Sequence, residues 1–308
     1  MPPAEPSELL ASLEVLRGRT YTATALAGGL TNVNYRVQSV DDPPLDLVVR
    51  VSSNETGMLA IDRANERHNT RMAWQAGVGA PVVEAIPEAG LLVIGFLPGR
   101  TLTADDLQDP VYIARVAAAL RRLHDGPAFQ GTFDMRAIRR GYLANVIAGG
   151  FRLPPDYLDL AERVERLEAA MLPGSEPLVP CNNDLLAANF IDDGSQIWII
   201  DYEYAGMNEA SFELGNIASE SGLDLAATEL LVESYWGRPS PVKLARARAW
   251  SLLARYGWTL WASIQDGVSP IDFDFWSWGM LKYDSARAEL LGPVYDEILD
   301  GLTRTDAP

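Results

Sequence analysis

The stretch from Cys181 to Tyr204, CNNDLLAANFIDDGSQIWIIDYEY, constrains this chain more than any other. Asp192-Asp193-Gly194-Ser195 is a turn-forming tetrad between two short runs, Phe190-Ile191 and Ile197 to Ile200, a pattern that predicts a β-hairpin. Antiparallel pairing then sets Asn189, at the start of the first strand, opposite Asp201, at the end of the second. An amide oxygen and a carboxylate meet at one end of the hairpin. That is a hard-oxygen pair of the kind Mg²⁺ takes together with phosphate oxygens and water. Upstream, Asp184 stands five residues before Asn189 on an irregular loop.

An aspartate, four residues, an asparagine, a hairpin and a second aspartate make the layout of a kinase catalytic loop with its metal aspartate. Phosphoryl transfer asks for in-line positioning, neutralisation of the β- and γ-phosphates and an acceptor for the substrate hydroxyl proton. Asp184 is expected as that acceptor, with Asn189 and Asp201 as metal ligands. Glu203, two residues past Asp201, either joins the metal shell or caps the loop. An Asx-rich surface hairpin would carry the same letters, so the rest of the chain has to agree.

At 308 residues the chain suits two lobes of about 100 and 200 residues. Its longest apolar runs, such as Leu91 to Ile94, fall far short of the ~20 residues that span a bilayer, so no membrane insertion is expected. The segment MPPAEPSELL is polar and proline-rich rather than charged then apolar, which predicts a cytoplasmic protein. A single cysteine, Cys181, excludes an internal disulfide framework. The formal net charge of −17 argues against a nucleic-acid partner and favours a cationic substrate. A homodimer is compatible with all of this.

Along the chain, Leu9, Leu10, Leu13 and Leu16 share one face of a short helix expected over 7–16. Ala27-Gly28-Gly29-Leu30-Thr31-Asn32 then leads into a strand. A Gly-Gly turn lets backbone N–H groups approach phosphates, with Thr31 and Asn32 as further polar contacts, although it also serves as a plain hairpin corner. The strand LDLVVRV carries Arg50, and a helix expected over 59–76 presents Glu66 near its middle. A strand cation paired with a helix carboxylate steadies the α- and β-phosphates in a kinase, and the same two residues could equally form an ordinary salt bridge. Arginine in place of the usual lysine keeps the charge and can grip phosphate through two N–H groups.

Two further strands end at Gly95-Phe96-Leu97-Pro98-Gly99, the expected hinge, whose backbone would face an adenine edge while Phe96 and Leu97 supply apolar cover. The chain then turns helical, with helices expected over 111–124, 156–171 and 241–265. His124 and His68, the only histidines, read as helix-surface or helix-end residues, which leaves a zinc site or a Ser-His-Asp triad without its parts. A helix starting near Ser211 carries Glu220. Trp250, Ala254, Trp258, Trp261 and Gln265 fall on one helical face. Such a stripe is either core or, with carboxylates near, a cage for an ammonium group.

The runs GGLTNVNYRV, VVR, NDLLAANF, IDYEYAGMN, FELGN and GWTLWASIQDGVSPIDFDFWSW, spread from about Ala27 to Arg287, resemble the choline/ethanolamine kinase family within the aminoglycoside phosphotransferase-like kinases. The resemblance implies an α+β, two-lobed protein-kinase-like fold: a small antiparallel-sheet lobe with one long helix over 1–97, binding nucleotide, and a larger, mostly helical lobe over 98–308. It implies ATP and Mg²⁺ as cofactors, a small cationic amino alcohol, choline first, as acceptor, and an aromatic box at Trp258, Trp261 and Trp278 with Glu220 at its edge. The family's loop begins His-Asn-Asp where this chain has Asn182-Asn183-Asp184, and has aspartate where this chain has Glu213. Asn182 is expected to hold the loop as the histidine does, by a single donated bond. Ethanolamine or an aminoglycoside as acceptor, and a weakened or inactive kinase that still binds a quaternary amine, are the alternatives.

Overall fold

The computed structural model describes residues 6–26, 32–52 and 57–304. Helix α1 (Pro6–Ala11) and a 3-10 turn (Glu14–Leu16) precede strands β1 (Tyr21–Leu26), β2 (Asn32–Ser39) and β3 (Leu45–Ser52); α2 (Arg63–Gln75), β4 (Val82–Ile86) and β5 (Leu91–Gly95) follow. The strands form one antiparallel sheet in the order β1-β2-β3-β5-β4. Inward residues at alternate positions of the neighbouring strands β2, β3 and β5, Val37, Leu47, Val49 and Val93, pack with Leu10, Leu13 and Leu16. The helix expected over 7–16 is therefore interrupted, but its leucine face survives. The Glu84 carboxylate accepts from the Glu14 and Val15 N–H groups, both at 2.9 Å, and fixes the turn to the sheet.

Helix α2 starts at Arg63, not near 59, because Ala60 adopts a left-handed φ of 58° and Asp62 caps the helix, accepting from Ala64 and Asn65 N–H at 2.8 and 3.0 Å. Glu66 thus lies in the first turn rather than mid-helix.

The remainder is dominated by helices. β6 (Arg100–Thr101), α3 (Pro110–His124), α4 (Met135–Gly149) and α5 (Ala161–Met171) lead to β7 (Leu178–Cys181), β8 (Phe190–Asp192), β9 (Ile197–Ile199) and β10 (Gly206–Glu209). Then come α6 (Ala210–Glu220), α7 (Leu225–Trp236), α8 (Pro241–Val268), α9 (Phe275–Leu291) and α10 (Pro293–Leu302). Helix α8, capped by Ser240 with Pro241 behind it, runs through the middle of this region and is buried on nearly all sides between 245 and 265. Gly215 lets α6 lie against it, since a Cβ there would collide with the Ala247 carbonyl. Among the described residues no helix is long and apolar enough to cross a membrane.

Contacts cross the division expected at residue 97. Ala73 and Val78 belong to the core formed by Leu120, Leu123 and Ile199, and the Ile199 N–H donates to the Val78 carbonyl at 2.8 Å. The end of α2 therefore anchors the sheet to the helical region, and its start is left to face the cleft between them.

Candidate active site

The hairpin forms as its turn chemistry dictates, with Phe190 paired to Ile199 and Asp192 to Ile197. Its register is one residue off the expectation. Asn189 accepts through its backbone carbonyl from Ile200 N–H at 3.0 Å, so Ile200 stands opposite it and Asp201 lies just beyond. Asp201 nevertheless turns into the same space, because its φ of 61° is left-handed and swings the side chain back toward the loop. Asp184, Asn189 and Asp201 all line one cavity of about 480 Å³ between the sheet and the helical region.

Three asparagine and glutamate side chains hold this loop. Asn182, fully buried, donates to the Ile200 and Asp201 carbonyls at 3.1 and 2.8 Å and accepts from Asp184 N–H at 3.0 Å. It bridges the two segments that carry the aspartates with three bonds, where the sequence suggested one. Asn183 sits at a left-handed φ of 69°, which an asparagine tolerates, and its amide donates to the Cys181 and Tyr204 carbonyls at 3.2 and 3.0 Å. Glu213, fully buried, accepts from Asn183 N–H at 2.8 Å and meets His124 Nε2 at 2.7 Å.

His124 is thus no surface residue. It lies buried at the end of α3, with Nδ1 2.7 Å from the Tyr235 hydroxyl. Its distance from Glu213 in sequence concealed this, and the apolar periodicity of α3, which turns Leu120 and Leu123 inward beside it, was the available signal. Cys181 Sγ comes within 3.8 Å of the same imidazole, so three potential metal ligands gather here. Burial and the neighbouring Glu213 charge push the thiol well above its usual range, which keeps it protonated, and the imidazole and carboxylate bond each other directly. The cluster is a hydrogen-bonded buttress under the loop.

On the sheet side of the cavity, Arg50 pairs with Glu66 of α2 and donates to Asp201 Oδ1 at 2.8 Å. Arg63, which sequence reading passed over although it stands three residues before Glu66, bonds Glu66 at 2.8 Å, Glu203 at 3.3 Å and Asn32 at 3.2 Å. Glu203 is buried and also accepts from Asn32 Nδ2 at 2.9 Å, so its carboxylate joins the sheet to the hairpin. Phe96 and Leu97 line the cavity as expected of apolar cover, but the Phe96 N–H is committed to the Asp46 carbonyl at 2.9 Å. Gly28, Gly29 and Thr31 lie outside the described residues.

The donor set suits Mg²⁺. Asn189 Nδ2 is spent on the Asp184 carbonyl at 2.7 Å, which turns its amide oxygen away from that bond, and Arg50 is bonded to one carboxylate oxygen of Asp201. One amide oxygen and one carboxylate oxygen on a cavity wall match an ion that completes its shell with phosphate and water.

At the other end of the cavity stand Tyr204, Trp258, Trp261 and Trp278. The tryptophan stripe divides: Trp250 is core, its indole donating to Glu209 at 3.1 Å, whereas Trp258 and Trp261, only 4% and 5% exposed, show their remaining surface to the cavity. Trp261 donates to the Tyr204 hydroxyl at 2.8 Å and meets Trp278 edge-on at 5.5 Å. Glu220 lines this end too, but Lys282 of α9 holds both its oxygens, at 2.6 and 2.7 Å, with Nζ 4.2 Å from the Trp278 ring centre. Asp184 between the two ends is pushed well above the usual carboxylate range, first by burial, then by the charges of Asp201, Glu220 and Glu203, with Lys282 opposing.

The choline/ethanolamine kinase family profile matches residues 23–232. A probable ethanolamine kinase A from Dictyostelium discoideum is 27% identical over 302 residues, covering 85% of this chain and 84% of its own. A solved choline/ethanolamine kinase family protein from Mesorhizobium loti superposes with a TM-score of 0.83 at 29% identity, over 96% of this chain and 97% of that one. The choline kinase LicA from Streptococcus pneumoniae shares the fold, with a TM-score of 0.74 at 22% identity over 87% of this chain and 93% of that one.

Proposed function

The chain belongs to the choline/ethanolamine kinase family, and from that premise we propose that it transfers the γ-phosphate of ATP to the hydroxyl of a small amino alcohol, choline first. The observation that carries this reading is the single cavity that has Asp184, Asn189 and Asp201 at its centre, paired arginine and glutamate at one end and indole faces at the other.

Each residue has work that follows from its surroundings. Arg50, fixed by Glu66 and aimed at Asp201, presents a guanidinium to the phosphates, and Arg63 adds a second positive charge behind it. Asn189 and Asp201 would hold Mg²⁺, which when bound neutralises charge on the β- and γ-phosphates. Asp184 is placed to accept the acceptor's hydroxyl proton, and its raised proton affinity makes it a better base than an exposed aspartate. Asn182 locks the backbone of Asp184 to that of Asp201, which supports an active enzyme over an inactive one: the asparagine holds both catalytic segments in one bonded unit. The indoles of Trp258 and Trp261 suit a quaternary ammonium, which has no N–H to donate and is attracted by ring faces at roughly 0.5 to 2 kcal/mol each.

ADP release coupled to a spectroscopic readout, over choline, ethanolamine, thiamine and kanamycin, tests the reading. Choline-dependent turnover that is lost in Asp184→Ala is the expected outcome. Ligand binding without turnover in the unmodified protein, with turnover gained in Asn182→His, would replace it with a binding protein that has lost its chemistry.

A further inference from the structure

The carboxylate at the acceptor end is not free to greet a substrate. Glu220 and Lys282 form a two-oxygen ion pair with side chains only 5% and 11% exposed, and the ammonium of Lys282 also rests on the Trp278 face. An indole face and a carboxylate are the two groups from which a protein builds a site for a primary ammonium. Here an internal ammonium already occupies both. Glu220 lines both the cleft and a second cavity of about 640 Å³, on whose wall Lys282 lies with Ser219, Arg255 and Glu289.

We infer that Lys282 is a specificity-determining residue of the proposed kinase: by consuming Glu220 it leaves the acceptor's cationic end, among the described residues, with aromatic faces and no unpaired carboxylate of its own, which disfavours primary ammonium relative to quaternary ammonium. The two ammonium types lose different things when Glu220 is taken. A primary ammonium enters with three N–H donors that must be satisfied once they leave water, and buried donors without partners are costly. A quaternary ammonium enters with methyl groups, which need only ring faces, and Trp258 and Trp261 remain on the cavity wall to supply them. The contribution of such a residue is a difference between acceptors, and so it shows in the ratio of their kcat/KM values rather than in either alone.

This inference rests on the kinase reading above, and the experiment separates the two. Steady-state kcat and KM are measured for ethanolamine, its N-methyl and N,N-dimethyl derivatives and choline, in the unmodified protein, Lys282→Met, Lys282→Arg and the Lys282→Met/Glu220→Gln pair. Methionine keeps the stem and removes the charge. In Lys282→Met the ethanolamine KM falls at least about tenfold, the scale of one charge-assisted hydrogen bond gained, with kcat within a few-fold and the choline KM less changed. The gain shrinks with each added methyl, disappears when Glu220 is also replaced, and is absent in Lys282→Arg. Tryptophan fluorescence titration with ethanolamine, which needs no turnover, shows the same tightening. An ethanolamine-to-choline ratio that stays within twofold across all four proteins overturns the inference while leaving the kinase reading intact. Absence of turnover with every acceptor in the unmodified protein overturns the kinase reading instead.

Discussion

At the sheet end of the cleft two arginines, Arg50 and Arg63, stand among three carboxylates, Glu66, Asp201 and Glu203. At the helical end one lysine, Lys282, holds one carboxylate, Glu220, under the face of Trp278. Both ends are built from buried ion pairs, but among the described residues the first, with Asp201 counted, has negative charge left over and the second has none. An uncompensated carboxylate beside a cavity calls for a cation from outside, which the Mg²⁺ of the proposed nucleotide complex would supply. A compensated one calls for nothing, and the recognition left to that end is aromatic.

The largest test of the comparison falls between the two ends. Asp184→Ala removes the group both converge on, and kcat should drop about 10²- to 10⁴-fold in the ADP-release assay, the usual range for a positioned general base; a loss below tenfold would move the chemistry elsewhere in the cleft. Next comes the buttress shared by both ends. His124→Ala leaves the Glu213 carboxylate buried beside an empty space, and should lower stability by about 3 kcal/mol in urea denaturation. The loop can also be loosened without emptying the core: Asn182→Ala cuts three bonds between the aspartate segments, and a misplacement near 1 Å costs on the order of 100-fold in kcat with the fold retained.

The pH profile sharpens the contrast by one charge at a time. Asp184 acts as a carboxylate, so activity falls as pH drops through its raised proton affinity. The sign for stability is opposite: the folded state favours the neutral acid, so ionisation of Asp184 costs stability as pH rises from the ordinary carboxylate range through the raised value. Lys282 opposes that rise and Glu220 adds to it, so Lys282→Met should move the acid limb of kcat/KM to higher pH and Glu220→Gln to lower pH. A limb fixed in both variants would belong to another group. The smallest expected effect is Trp278→Leu, which takes the ring from under Lys282 at a cost of roughly 0.5 to 2 kcal/mol and should show as a small fall in melting temperature.

Turn chemistry, spacing and capping acted over a few residues, and for that reason the sequence alone determined the hairpin after Asp192, the order Asp184, Asn189, Asp201, the start of α8 at Ser240-Pro241 and the helical face that carries Trp258 and Trp261. The register slip at Asn189 and the late start of α2 came from left-handed residues, Asp201 and Ala60, whose letters do not announce that conformation. Helix α4 was announced by Asp134 at its cap and Gly150 at its end, and was overlooked because its buried face, Met135, Arg139, Tyr142 and Val146, carries an arginine where a purely apolar stripe would be expected. What only the tertiary structure decided is which charge meets which. His124 and Glu213 are 89 positions apart, Lys282 and Glu220 62, and Asn32 and Glu203 171. Partners at such separations are set by how α3, α6, α8 and α9 settle against one another, and a shift of one residue along any of these helices rotates a side chain by about 100° onto another neighbour. Local rules therefore supply the groups of the cleft together with the Arg63–Glu66 pair of one helix turn, and packing assigns partners at long separation such as Lys282–Glu220 and His124–Glu213.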